Sequence, residues 1–190
     1  MKAAQSEASI RIDLIPGSEE ARLITKGVLQ AIPSVGNDRL LIMDIGGGSV
    51  EFIIADATGT LWAQSFPLGV AVLKRGFHHS EPISTEERIT LRSFLEKELT
   101  PLWEILEKKP TEYLVGAAGT FDVIANLMGA GQPTANSHYI AIEKFAAFSE
   151  QCIAANREER FRIEGLPNER ADLIVVAFIL IQTILDKAAI

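Results

Sequence analysis

Three consecutive glycines close one apolar run and open another in Leu40-Leu41-Ile42-Met43-Asp44-Ile45-Gly46-Gly47-Gly48-Ser49-Val50-Glu51-Phe52-Ile53-Ile54. Apolar runs of this kind suit buried strands. The glycines between them permit positive φ and place no side chain between the backbone amides and a ligand. The stretch therefore reads as strand, sharp turn, strand. Amides pointing inward from such a turn form an anion-binding concavity. Asp44, at the end of the first run, and Glu51, just past the turn, bracket it. Phosphate with a divalent cation fits this arrangement, because amides take the phosphate oxygens and carboxylates hold the cation through water. A tight hairpin with no ligand is the plain alternative, and the two acids are what favour phosphate.

The charge balance narrows the partners. Lys and Arg number 18 against 25 Asp and Glu, a net charge of −7, which argues against a nucleic-acid polymer or an anionic membrane as partner. A polyanion held locally by amides and metal remains compatible with it. At 190 residues, with 47% hydrophobic and 23% charged, the chain has the composition of a folded domain with its own core. Its one cysteine, Cys152, forms no internal disulfide, so the fold does not depend on an oxidising compartment and a cytoplasmic location is expected. Met1 to Ser9 lack the apolar core of a signal peptide. The longest apolar run, Leu173 to Ile181, is about half of what a bilayer needs.

Around the glycine stretch the chain alternates strand and helix signals. Ile10 to Ile15 alternates apolar and polar residues, predicting a half-buried strand ended by Pro16-Gly17. Ser18 stands where an N-cap belongs, ahead of a helix over about Glu19 to Ile32 with Glu19 and Glu20 in its first turn. Asp56-Ala57-Thr58-Gly59 predicts a hairpin turn before a third strand, Thr60 to Phe66, which makes an antiparallel meander. A short helix through Leu73 follows. Ser84-Thr85-Glu86-Glu87 has capping-box spacing and opens a long helix to about Lys108. Tyr113 to Gly116 predicts a strand that feeds a small-residue turn, Ala117 to Thr120, and a helix through Met128. Such a strand, turn and helix start is another place where phosphate can approach amides, although close packing of helix on strand explains the glycines equally well. Gly129 to Ser137 reads as a loop, Glu143 to Asn156 and Glu169 to Lys187 as helices, and Arg157 to Arg162 as a charged turn. The sum is an α/β layered domain.

Other chemistry-bearing residues have ordinary readings. His78 and His79 lack Cys or acids at metal-ligand spacing, and His138 is isolated. Cys152 has no basic neighbour at helical spacing to activate it and reads as a small core residue. Arg170 and Asp172 read as braces between helix and loop, and Lys74-Arg75 as a solvated face.

Four segments, in order, resemble the exopolyphosphatase and guanosine-pentaphosphate phosphatase family: Ile15-Pro16-Gly17-Ser18-Glu19-Glu20-Ala21-Arg22, Asp44 to Glu51, Gly116-Ala117-Ala118-Gly119-Thr120, and Gly165-Leu166-Pro167-Asn168-Glu169-Arg170-Ala171-Asp172. That family belongs to the superfamily of actin, sugar kinases and heat-shock ATPases, whose ribonuclease-H-like domains close in pairs on a phosphate chain. The resemblance implies an actin-type ATPase domain with a mixed sheet, an antiparallel meander and covering helices. It further implies hydrolysis of the terminal phosphoanhydride of polyphosphate or guanosine pentaphosphate, with Glu20 orienting or deprotonating the attacking water. Gly46, Gly47, Gly48 and Ser49 would bind phosphate, Asp44 and Glu51 would hold Mg²⁺, and Gly116, Gly119 and Thr120 would form the turn that faces nucleotide or phosphate.

The sequence departs from that family in three respects. Val50 stands where relatives usually have Thr. The first phosphate loop of the family is absent, and so are its final strand and Arg-Gly segment. Residues 1–33 are therefore expected to be the last strand and connecting helix of a mostly absent first domain, and 34–190 the second, phosphate-binding domain without its final strand. The isolated chain is then expected to be inactive, with an apolar face that favours self-association. Competing expectations are a phosphate or nucleotide sensor without chemistry, and a sugar-kinase-like phosphotransferase, which needs an Asp base that the sequence does not place.

Overall fold

The computed structural model describes residues 6–11, 13–32, 38–128, 131–134, 136–188 and 190. At its centre, β1 (Leu40–Ile45) and β2 (Val50–Asp56) are antiparallel neighbours joined through the glycine turn. Both are buried on both faces, which explains their unbroken apolar sequence. Leu41, Met43, Ile45, Phe52 and Ile54 face a large core, whereas Leu40, Ile42, Ile53 and Ala55 face a small one. β3 (Gly59–Phe66) completes the meander beside β2, and β4 (Tyr113–Ala117) runs parallel to β1, giving the order β3-β2-β1-β4. The mixed α/β class and the meander expected from sequence are both present.

A parallel neighbour requires a crossover. Here α2 (Val70–Phe77), α3 (Thr85–Glu98) and α4 (Thr100–Lys108) make it, burying Leu73, Leu91, Leu95, Leu102 and Leu106 in the large core. On the opposite face lies α1 (Gly17–Ala31), whose Ala21, Ile24, Val28 and Leu29 close the small core. Its Thr25 hydroxyl shares a 2.8 Å hydrogen bond with Thr60 of β3. After β4 come α5 (Ala118–Met128), a hairpin of β5 (Gly131–Thr134) and β6 (Ser137–Tyr139), α6 (Ile142–Ala154), α7 (Arg157–Phe161), α8 (Asn168–Ala171) and α9 (Ile174–Ala188). Helix α9 is buried continuously from Ile174 to Ile184 among α2, α3 and α6, so its apolar surface extends all round. Among the described residues no helix is long and apolar enough to cross a membrane.

Several elements differ from the sequence reading. Ile10, Arg11, Asp13, Leu14 and Ile15 form no strand, and Ile12 lies outside the described residues. Alternation says which side a strand would bury, but not that a partner is within reach, and Ile10, Leu14 and Ile15 stand 56%, 78% and 50% exposed. Helix α1 is capped by Pro16 rather than Ser18, with the Pro16 carbonyl accepting from the Glu19 and Glu20 amides. The long helix breaks at Leu99 into α3 and α4. Pro101 has no N–H to offer the Lys97 carbonyl, and the Thr100 hydroxyl takes that carbonyl at 2.7 Å. Within the expected loop Gly129 to Ser137 lies the β5–β6 hairpin, whose short strands carry no alternation to read; Gly129 and Ala130 lie outside the described residues. The charged turn is the helix α7, closed by a capping box between Asn156 and Glu159. The last helix is interrupted at Asp172 and Leu173, between α8 and α9.

Candidate active site

The glycine turn is held from behind. The amides of Val70 and Ala71, the first of α2, donate to the carbonyls of Gly46 and Gly47 at 3.0 Å each, and the Gly69 amide donates to Gly48 at 3.2 Å. These amides would otherwise be orphans at a helix start. Three successive carbonyls are thus turned toward α2. Among the described residues the amides of Gly47, Gly48 and Ser49 have no acceptor, while Gly47 and Gly48 are exposed. A turn with its carbonyls committed on one side and its amides open on the other is polarised for an anion.

Carboxylates gather beside it on the α1 face of the sheet. Asp44 and Glu51 are paired directly across β1 and β2. Glu51 Oε1 accepts from the hydroxyls of Ser49 and Ser65, both at 2.7 Å. Half-burial raises the Asp44 carboxyl above its ordinary range, and the negative charges of Glu51 and Glu20 raise it further. Helix α1 packs on this face of the sheet, and the charge of Glu20 in its first turn is among those that act on Asp44. Of the two acids in that turn, Glu19 is committed to Arg22 by two 2.8 Å hydrogen bonds. Glu20 is exposed, and its carboxylate has no hydrogen-bond or ion-pair partner among the described residues.

The second turn is brought alongside, because Asp44 pairs with Ala117 in the parallel ladder. The structure uses two of its three singled-out residues internally. A Cβ on Gly116 would stand 1.9 Å from the Phe121 ring, so this glycine makes room for α5. The buried Thr120 hydroxyl donates to the Ile45 carbonyl at 3.0 Å, stitching the start of α5 to the end of β1. Gly119 differs: a Cβ there would meet only the Arg170 guanidinium, at 3.5 Å. Arg170 lines a narrow crevice with Val70 and Thr120 and makes no ion pair among the described residues. Asp172 does brace, accepting from Arg157 at 2.8 and 2.9 Å and lying 3.6 Å from Lys74. Lys74 is accordingly paired rather than merely solvated. Ser65 and Gly69 are contributors that sequence reading missed, for their importance comes from contacts across the sheet and turn.

The remaining candidates stay outside the site. Cys152 is buried, and burial pushes its thiol up to about 11. The His78 ring is buried, burial lowers its pKa, and Glu81 Oε1 lies 3.4 Å from Nε2. The Val50 side chain is in the large core, so a Thr hydroxyl at this position would be buried there rather than added to the loop. Among the described residues no cluster of three His, Cys, Asp or Glu side chains is arranged to hold a metal by itself. Asp44 and Glu51 offer two hard oxygen donors, the set that suits Mg²⁺ when waters and phosphate oxygens complete the shell.

Comparison with known proteins gives consistent results. The description "Ppx/GppA phosphatase family" belongs to a family model that matches residues 1–189. A guanosine-5'-triphosphate,3'-diphosphate pyrophosphatase of Photobacterium profundum is 30% identical over 161 residues, covering 85% of this chain and 31% of its own. An exopolyphosphatase crystal structure from Cytophaga hutchinsonii superimposes with a TM-score of 0.88 at 35% identity, over 98% of this chain and 61% of its own. A Ppx/GppA family member from Aquifex aeolicus shares the fold, with a TM-score of 0.81 at 23% identity over 99% of this chain and 61% of its own. The chain thus spans about a third of the first of these relatives and about three fifths of the two solved structures.

Proposed function

The chain belongs to the Ppx/GppA phosphatase family, and on that premise we propose that it forms one wall of a site that hydrolyses a terminal phosphoanhydride, of inorganic polyphosphate or of guanosine pentaphosphate. The observation that carries this reading is the turn Gly46 to Ser49, with its carbonyls committed to α2, its amides open, and Asp44, Glu51 and Glu20 around it. Open amides donate hydrogen bonds to the non-bridging oxygens of the terminal phosphate. Arg170, beside Gly119, adds a cation on the opposite flank. Glu20, unpaired and exposed where Glu19 is tied to Arg22, orients the attacking water and takes its proton. Phosphoryl transfer needs little from a protein beyond positioning and charge stabilisation, and these residues supply both.

Asp44 and Glu51 would hold Mg²⁺, which when bound would neutralise charge on the phosphate oxygens. Two carboxylates facing each other, one with its pKa raised by burial and by its neighbours' charge, are a natural donor pair for a cation. In the longer relatives the remaining length provides further residues. We assign 1–33 to the junction with a first domain and 34–190 to the second, so the opposing phosphate contacts would come from beyond this chain and turnover by the 190-residue chain itself would be low.

The test is phosphate release from long-chain polyphosphate and from guanosine pentaphosphate by the longer protein and its Glu20→Gln variant. Loss of a general base predicts a fall of about 100-fold or more. Equal rates in the two proteins would remove Glu20 from the chemistry, and the two substrates compared in the wild type identify the preferred one. Robust turnover by the 190-residue chain would refute the incomplete-site reading.

A further inference from the structure

Gly69 stands outside every motif that marks the site, yet the site is built against it. A Cβ at this position would lie 2.4 Å from the carbonyl carbon and oxygen of Gly47 and 2.4 Å from the carbonyl carbon of Gly48. These are backbone atoms, not the end of a flexible side chain, so any residue but glycine must displace the turn or the helix start. Its own φ of −62° and ψ of 155° are open to every residue type; close approach is therefore the constraint, not backbone conformation. That approach lets the amides of Gly69, Val70 and Ala71 reach the carbonyls of Gly48, Gly46 and Gly47.

Helix α2 is itself fixed at its far end. Lys74 is paired to Asp172, which is gripped by Arg157. Beyond it, the buried His78 sits beside Glu81, which accepts two 2.9 Å hydrogen bonds from the fully buried Arg160. An added methyl group therefore sets the turn against a helix start that is tied at its far end.

We propose that Gly69 is a positioning residue for the phosphate turn: its missing side chain seats α2 on the carbonyls of Gly46 to Gly48 and so directs the amides of Gly47 to Ser49 outward. This rests on the reading of the turn as a phosphate site, and the experiment separates the two. Amide spectra of the 190-residue chain, wild type and Gly69→Ala, report turn geometry without ligand; titration with pyrophosphate and Mg²⁺ then reports binding. The expected result is displaced resonances for Gly46 to Ser49, little change in β3 and α9, a thermal midpoint within a few degrees, and affinity lower by about tenfold or more, given that misplacement by about 1 Å costs a reactive site on the order of 100-fold. A second variant, Val70→Pro, removes one amide donor at a helix position that accepts proline and follows a residue already extended. It should shift the same resonances and weaken binding in the same direction.

Unmoved turn resonances with unchanged affinity in both variants overturn the proposal. A wild-type chain that binds no pyrophosphate overturns the phosphate reading and the ligand half of this one, while the ligand-free spectra still decide whether Gly69 sets the turn. Ile89→Ala, on the exposed face of α3 away from the turn, serves as the contrast: it keeps wild-type turn resonances and pyrophosphate affinity within about threefold.

Discussion

Asp44 and Glu51 are direct partners across the β1–β2 ladder, two acids on one face of the sheet with the charge of Glu20 close by. Like charges directly opposite are destabilising. The hydroxyls of Ser49 and Ser65 offset part of that cost at Glu51, and Asp44 has no such partner among the described residues.

The first prediction concerns Asp44. Its carboxyl is raised above the ordinary 3.8, so the folded chain holds that proton more tightly than the unfolded chain does. The sign follows: Asp44 favours folding at pH below its ordinary value, and its penalty grows as pH rises through the raised one. Asp44→Asn should remove that penalty, stabilising the metal-free protein at pH 7 by about 0.5–1 kcal/mol, or about 1–4 °C in Tm, with no gain at pH 3. It should also abolish stabilisation by Mg²⁺. Thermal melts at the two pH values, with chelator and with Mg²⁺, check both halves.

Gly116 is expected to matter for packing. Gly116→Ala drives a methyl into the Phe121 ring and should cost about 1–3 kcal/mol as overpacking. Pairing it with Phe121→Leu should recover much of that loss in urea titration. Full stability of the single variant would mean that α5 shifts freely.

Glu87 closes the capping box of α3. Burial pushes its carboxyl up, but the Ser80 hydroxyl and the amides of Ser84, His79 and Ser80 prevail and bring it to about 2, from 4.5. This acid is depressed, so its contribution is complete above about 4.5 and is lost as pH falls toward about 2. Ser84→Ala should cost about 1 kcal/mol at pH 7. Glu87→Gln should flatten the acid limb of the stability curve, as measured by denaturant midpoints from pH 2 to 6.

Cys152 should be inert in the native state. With its thiol at about 11, roughly one molecule in a thousand carries thiolate at pH 8, and the side chain is buried. A disulfide-exchange reagent should label it only after denaturation. Rapid native labelling would contradict the placement of α6.

Much of this arrangement could be read from local chemistry. The apolar runs around Gly46 to Gly48 specify two central strands because they are short and bounded by turn residues, and the Ser84 and Glu87 spacing specifies a helix start. The break at Leu99 was readable from Pro101, though the apolar stripe running through Leu99 and Leu102 hid it. Ile10 to Ile15 shows the reverse case, since alternation without a partner strand remains irregular chain. The site divides along the same line. Asp44 and Glu51 pair across β1 and β2, and what distinguishes Glu20 from Glu19 is the ion pair of Glu19 with Arg22. Gly116 proved to be a packing glycine, whereas Gly69, Ser65 and Arg170 acquire meaning only from what the fold sets beside them.

The small core under α1 has a consequence for control. Glu20 rides on a helix fastened to the sheet through Ala21, a few half-buried apolar side chains and the Thr25–Thr60 bridge, while the glycine turn is rooted in the large core. The two parts thus differ in robustness, because segments with few buried contacts open well before the molecule as a whole does. A load on α1 would shift that helix, and Glu20 with it, while leaving the glycine turn in place.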